Sequence, residues 1–146
     1  MSLPECIKSL VGKWITPPRN EVFDVEAQRY RVEKMDDYGL FLEIMFESGT
    51  RLRIHYWRFN HVVDMLLDVD GDYLVVGTRI DPDDYDTVQG SMYQEALKND
   101  YVQANMRMAS FVCDFIVLCG YGEYGATINP STGREVQGIR KTTKLG

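Results

Sequence analysis

Histidine and cysteine are scarce in this chain, and each scarcity closes off chemistry. Two histidines, His55 and His61, stand among 146 residues, and no cysteine or carboxylate spacing around them matches a zinc site. The three cysteines, Cys6, Cys113 and Cys119, are an odd number. On one strand Cys113 and Cys119 would lie about 20 Å apart, too far to bond. All three therefore read as small buried hydrophobes, and a reducing, cytoplasmic compartment is expected. No apolar run approaches the roughly 20 residues of a membrane span. The start, Met1-Ser2-Leu3-Pro4-Glu5-Cys6, lacks the basic and apolar regions of a secretory signal. Positive charge is in deficit: 16 Lys and Arg against 22 Asp and Glu leave a formal net charge of −6. That balance disfavours nucleic acid and anionic membrane as partners and leaves a basic protein partner open.

What the chain does have is alternation. Leu40, Leu42, Ile44 and Phe46 alternate with polar or mixed positions, as do Leu52, Ile54 and Tyr56, then Val63, Met65 and Leu67, then Leu74 and Val76. Period two is the signature of strands with one buried face. A three-residue loop, Glu47-Ser48-Gly49, sets Ile44 opposite Leu52 and Leu42 opposite Ile54, with Gly49 where such loops need a left-handed residue. A two-residue loop at Asn60-His61 then sets Tyr56 against Met65. Asp70-Gly71 suits a type I′ turn setting Leu67 against Leu74. Upstream, Val32 faces Leu42 across an odd-length loop near Tyr38, and a bulge near Gln28-Arg29 reconciles the phase of Phe23, Val25 and Ala27 with that of Tyr30 and Val32.

This register aligns charges it was not fitted to: Arg31 with Glu43, Glu43 with Arg53, Arg53 with Asp68, and Arg51 with Asp70. The run His61–Asp68 is read as a strand, although Val62, Val63, Leu66 and Leu67 also suit a short helix. Ser91 with Gln94 reads as a capping box, followed by a stripe of Leu97, Tyr101, Ala104 and Met108 at helical spacing. Phe111–Cys119 reads as a strand, Gly120 to Gly133 as loop, and Glu135–Thr143 as a last strand.

The fold expected is α+β and β-rich. It has a curled antiparallel meander of about five strands over 22–80, one long helix over about 92–109, and one or two further strands. One domain spans 1–146, with a tail over 141–146 expected to fray. Val11-Gly12-Lys13-Trp14 resembles the Gly-x-Trp element that opens the first strand of the calycin barrels, such as lipocalins and avidins. That resemblance implies an alternative, an up-and-down barrel holding a small hydrophobic ligand. In it Arg140 would play the late arginine that packs on the tryptophan.

Two motifs fail on context. Gly120-Tyr121-Gly122-Glu123-Tyr124-Gly125 fits Gly-x-Gly-x-x-Gly, but no long helix can start at Ala126-Thr127-Ile128-Asn129-Pro130 and too little chain remains for a βαβ unit. Asp68-Val69-Asp70-Gly71-Asp72 invites calcium, yet its glycine stands fourth and Arg79 stands twelfth, where an EF-hand needs glycine sixth and glutamate last. No cofactor, metal ligand or catalytic residue is nominated.

The charged face of the meander is the more informative surface. Arg51 and Arg53 sit there with Phe41, His55, Trp57 and Tyr73, the composition of a protein-binding patch. The functional expectation is a non-enzymatic protein-binding or adaptor domain, through a partner or self-association. Its alternative is a small-ligand carrier or enzyme with a pocket inside the curled sheet near Trp14, Tyr56 and Arg140.

Overall fold

The structure is a computed structural model that describes residues 2–77 and 86–145. The expected end of the fifth strand at 78–80, and the acidic loop over 81–85, lie outside the described residues. The architecture is α+β; the described residues form two antiparallel sheets and no closed barrel, so the calycin-like alternative does not hold. In chain order the elements are α1 (Leu3–Ser9), β1 (Trp14–Ile15), α2 (Pro18–Phe23), β2 (Tyr30–Met35), β3 (Phe41–Phe46), β4 (Arg51–His55), α3 (Trp57–Asp68), β5 (Leu74–Val75), α4 (Val88–Lys98), α5 (Ala109–Leu118), β6 (Gly122–Ile128) and β7 (Glu135–Lys141). The first sheet runs β1-β2-β3-β4 and the second β5-β7-β6.

The β3–β4 hairpin is the one the alternation predicts. Ile44 faces Leu52, Leu42 faces Ile54 and Glu43 faces Arg53. Phe46 N–H bonds Thr50 C=O across the three-residue loop, and Gly49 takes φ +90°. The β2–β3 register is shifted: Val32 faces Ile44 rather than Leu42, and Arg31 faces Met45 rather than Glu43. The connection sets the shift, since Met35 already faces Leu42 beside it; a bulge at Glu33, not near Gln28-Arg29, then moves the register by one residue and brings Val32 to Ile44. Residues 22–29 form no strand; Pro18 opens α2, and Asp24 ends it in a left-handed cap.

Four further expectations are corrected. His61–Asp68 is helix, within α3, whose buried stripe is Phe59, Val62 and Leu66 at three- and four-residue spacing while Leu67 is exposed. Helical burial of that stripe overrides the period-two match, and with it go the Tyr56–Met65, Arg53–Asp68 and Arg51–Asp70 pairings. Asp70 and Gly71 do both take positive φ, and Asp72 N–H closes the turn on Val69 C=O. The turn caps a helix instead of joining two strands, and Leu74 pairs with Ile139 in the second sheet.

Of the long helix over 92–109 only the part to Lys98 is helical, within α4, and the chain from 99 to 108 is irregular before α5 begins at Ala109. α4 begins earlier, with Thr87 Oγ1 accepting from Gly90 N–H, and stops at Lys98. Leu97 and Tyr101 of the expected stripe are exposed. The expected strand Phe111–Cys119 is α5, buried on nearly every side through Val112, Cys113, Asp114, Phe115 and Ile116. A short apolar run buried all round carries no period that separates helix from strand. Gly122–Ile128, read as loop, is β6, paired along its length with β7.

The core lies between the inner face of the first sheet and α3 and α5. Val32, Leu42, Ile44 and Ile54 of the sheet and Phe59, Val62, Phe115 and Ile116 of the helices are all fully buried. Tyr30 and Phe59 both meet the Phe115 ring, and Phe46 meets Phe111. Helices fill the space a barrel would have enclosed. Cys6 and Cys119 form a disulfide linking α1 to the end of α5, with Cα atoms 5.9 Å apart. The reading of three unpaired thiols is thereby corrected, and Cys113 alone is free and buried. Residues 142–145 are tied back: Thr142 N–H bonds Tyr121 C=O, and Lys144 Nζ donates to Cys119 C=O. No helix among the described residues is long and apolar enough to cross a membrane.

Candidate functional site

The outer face of the β3–β4 hairpin leads directly into a groove. Pleat alternation sends Leu42 and Ile54 inward and therefore Phe41, Arg53 and His55 outward. Phe41 stands opposite His55 with ring centroids 6.4 Å apart, and the Arg53 guanidinium lies 4.0 Å from the Phe41 centroid. Beyond His55 the chain leaves the sheet: Tyr56 N–H bonds Leu40 C=O at 2.8 Å, and α3 starts at Trp57. Trp57 thus emerges where strand becomes helix.

The opposite wall comes from the segment between α4 and α5. Asp100 adopts a left-handed conformation and Tyr101 N–H bonds back to Ala96 C=O, which folds the segment over the last turn of α4. The Tyr101 ring meets Trp57 at 4.8 Å between centroids, tilted by 33°. Between these walls is an open groove of about 590 Å³, lined by Phe41, Arg53, His55, Tyr56, Trp57 and Tyr101, with Leu40 and Val102 as its lips. A smaller hollow of about 180 Å³ shares Trp57, Asn60 and Tyr101 and adds His61, Asp64 and Glu95. Helical period explains the set. Trp57, Asn60, His61 and Asp64 recur at three- and four-residue spacing along one side of α3, while Phe59, Val62 and Leu66 face the core.

A buried arginine stands behind the site. Arg58 is 1% exposed, stacks 4.7 Å from the Trp57 ring centroid and donates through Nη2 to Gln103 C=O at 2.8 Å. Its Nε and the nearby Gln103 Oε1 are buried without partners. No carboxylate among the described residues lies within ion-pair distance of it, and burial alone pulls its pKa down to about 10. Both histidines feel it. Burial first, then Arg53 and Arg58, lower the pKa of His55. Burial likewise lowers that of His61, with Arg58 adding to the effect against the raising pull of Glu95 and Asp64. Both imidazoles are therefore neutral at pH 7.

His61 Nε2 lies 2.8 Å from Ser91 Oγ, the spacing of a nucleophile and its base. Ser91 lines neither hollow, however, and the N–H groups of Gly90 and Ser91 are already bonded to Thr87. No backbone donor is left there to stabilise an oxyanion. The pair fastens α3 to α4.

A second polar cluster centres on a fully buried carboxylate. The Asp114 carboxylate accepts from Tyr30 and Tyr124, with Arg19 at 3.8 Å, and none of the four lines either hollow. Among the described residues no group of three or more His, Cys, Asp or Glu could hold a metal.

Of the residues nominated from sequence, Phe41, Arg53, His55 and Trp57 meet at the groove, and Tyr56 joins them from the pocket alternative. Arg51 shares the sheet face but pairs with Glu43, outside the groove. Tyr73 packs against Gly125 and Gly138 in the second sheet, under the Arg140 guanidinium. Arg140 pairs with Glu123, whereas the Trp14 ring carries Arg29 and Arg31. The residues missed are Tyr101 and Val102, and the acidic pair Asp64 and Glu95. The helical reading of 57–68 would have found Asp64, but no local signal brings Tyr101 to Trp57. Comparison of the chain with protein-family models, with curated proteins and with solved structures finds no match.

Proposed function

We propose that the protein is a non-enzymatic binding module that seats an apolar side chain of a partner protein segment in the groove between Phe41, Trp57 and Tyr101. One observation carries the reading: five rings converge on a single open concavity whose lips, Leu40 and Val102, are 63% and 64% exposed. Exposed aliphatic groups rimming an aromatic floor are what an occupant desolvates, and anchors of this kind dominate binding energy in protein interfaces. Nothing lining either hollow combines a nucleophile with oxyanion donors, which favours binding over turnover.

The probe is a capped leucine tetrapeptide, Ac-Gly-Leu-Gly-Gly-NH2, titrated into ¹⁵N-labelled protein. The expected result is saturable perturbation of the Trp57 indole N–H and of the amides of 39–41 and 101–102, abolished by Trp57→Ala. Perturbation scattered over the surface, or unchanged in Trp57→Ala, overturns the reading. Saturable binding of a free alkane carboxylate or indole with no peptide binding decides instead for a small hydrophobic ligand, which would use the same rings.

A further inference from the structure

Resting on that reading, we propose that the hollow beside Trp57, closed by Asp64 and Glu95, seats the side chain of a lysine or arginine adjacent to the apolar anchor of the same segment. The placement follows from shared walls: Trp57, Asn60 and Tyr101 border both hollows, so a chain whose apolar residue fills one delivers its neighbour to the other. The chemistry is cationic. Two carboxylates from different helices line it, and among the described residues Asp64 makes no hydrogen bond or ion pair while one Glu95 oxygen accepts from Asn99 Nδ2 at 2.9 Å. The Trp57 and Tyr101 rings, in contact with each other at 4.8 Å between centroids, wall the hollow beside these carboxylates. His61 brings no competing charge at neutral pH. Arg58 does, since it stacks on Trp57, but it is one charge against two, and its Nη2 is committed to Gln103. Arg53 lines the larger groove but not this hollow, so a segment that laid its cation in the larger groove would meet repulsion there. The formal net charge of −6 draws a basic segment in from a distance.

The test compares Ac-Gly-Leu-Lys-Gly-NH2 and Ac-Gly-Lys-Leu-Gly-NH2 with the same peptides carrying norleucine in place of lysine. One of the lysine peptides is expected to bind about ten-fold more tightly than its norleucine counterpart at low salt. The advantage should shrink at high salt and vanish in Asp64→Asn/Glu95→Gln, two near-isosteric exchanges. Equal affinity of lysine and norleucine peptides in the wild type, with the Trp57 signals still perturbed, overturns this inference and leaves the binding function standing. If no leucine peptide perturbs Trp57, the binding function itself fails and the inference falls with it.

Discussion

The hydroxyl of Tyr30, on β2, donates to Oδ2 of Asp114, on α5, at 3.0 Å across 84 residues of chain. Tyr124 of β6 donates to Oδ1 at 2.7 Å, so one buried carboxylate links the first sheet, the central helix and the second sheet. Removing either hydroxyl leaves an oxygen short of a donor inside the core. Tyr30→Phe and Tyr124→Phe should each cost about 1–3 kcal/mol in chemical denaturation, and Asp114→Ala more than either.

The same carboxyl gives stability a pH dependence. Burial raises its pKa to about 6 from an ordinary 3.8, against the lowering pull of Arg19 and the two tyrosine hydroxyls. Between those values the folded protein holds a proton that the unfolded chain has released. The contribution of Asp114 is therefore greatest below about pH 4 and declines as pH rises to about 6, by on the order of 3 kcal/mol. Other carboxylates titrate nearby, and Glu47, lowered by Arg29, acts in the opposite sense. The measurement is the difference between wild type and Asp114→Asn in urea midpoints from pH 4 to 7; a difference independent of pH refutes the assignment.

Thiol counting tests the disulfide. With Cys6 bonded to Cys119 and Cys113 buried, the native, unreduced protein should show no thiol that reacts rapidly with a disulfide reagent. It should show one when denatured and three when denatured and reduced. Burial, with Asp114 beside it, pushes the Cys113 thiol pKa up, so slow reaction in the native state is expected even at alkaline pH. The bridge closes a separation of 113 residues, and Cys6→Ser should cost about 2–5 kcal/mol.

Arg58→Met removes a buried charge with which no carboxylate among the described residues pairs, and keeps a side chain of similar reach. Loss of the bond to Gln103 C=O opposes the relief of desolvation, so stability should change by no more than about 1 kcal/mol. The sharper readout is histidine titration by NMR. Arg58 lowers the pKa of both His55 and His61, and both should rise in the variant. Unmoved titrations would show that its charge does not reach the groove.

Leu40→Ser and Val102→Ser separate binding from folding. Both side chains are largely exposed, so thermal stability should stay within about 0.5 kcal/mol of wild type. Peptide binding at the groove should weaken at least several-fold. Equal affinity in the double variant would remove the lips from the site.

The hairpin from Phe41 to His55 was readable because everything that specifies it is local: alternation selects the faces, loop length sets the register, and Gly49 supplies the turn. Three outward residues of the eventual groove, Phe41, Arg53 and His55, could be named for the same reason, whereas Trp57 reaches it from α3 and not from the strand that alternation extends through it. The second wall could not, because Tyr101 reaches Trp57 only through the left-handed turn at Asp100 and the packing of α4 against α3. The errors at 61–68 and 111–119 share one cause. Both are short apolar runs, the first built on valine, methionine and leucine and the second on phenylalanine, valine, isoleucine and leucine, and such runs satisfy the strand pattern as well as the helical one.

By itself the amino-acid order determined an α+β chain with net negative charge, the β3–β4 register, the Asp70-Gly71 turn and an aromatic–arginine sheet face. Only the tertiary structure decided that the apolar run ending at Leu118 is a helix filling the sheet, that Cys6 meets Cys119, and that the sheet face ends in a groove. Local patterning specifies what must be buried and in which phase. Which distant surface buries it depends on the packing of the whole chain, and no window of sequence contains that.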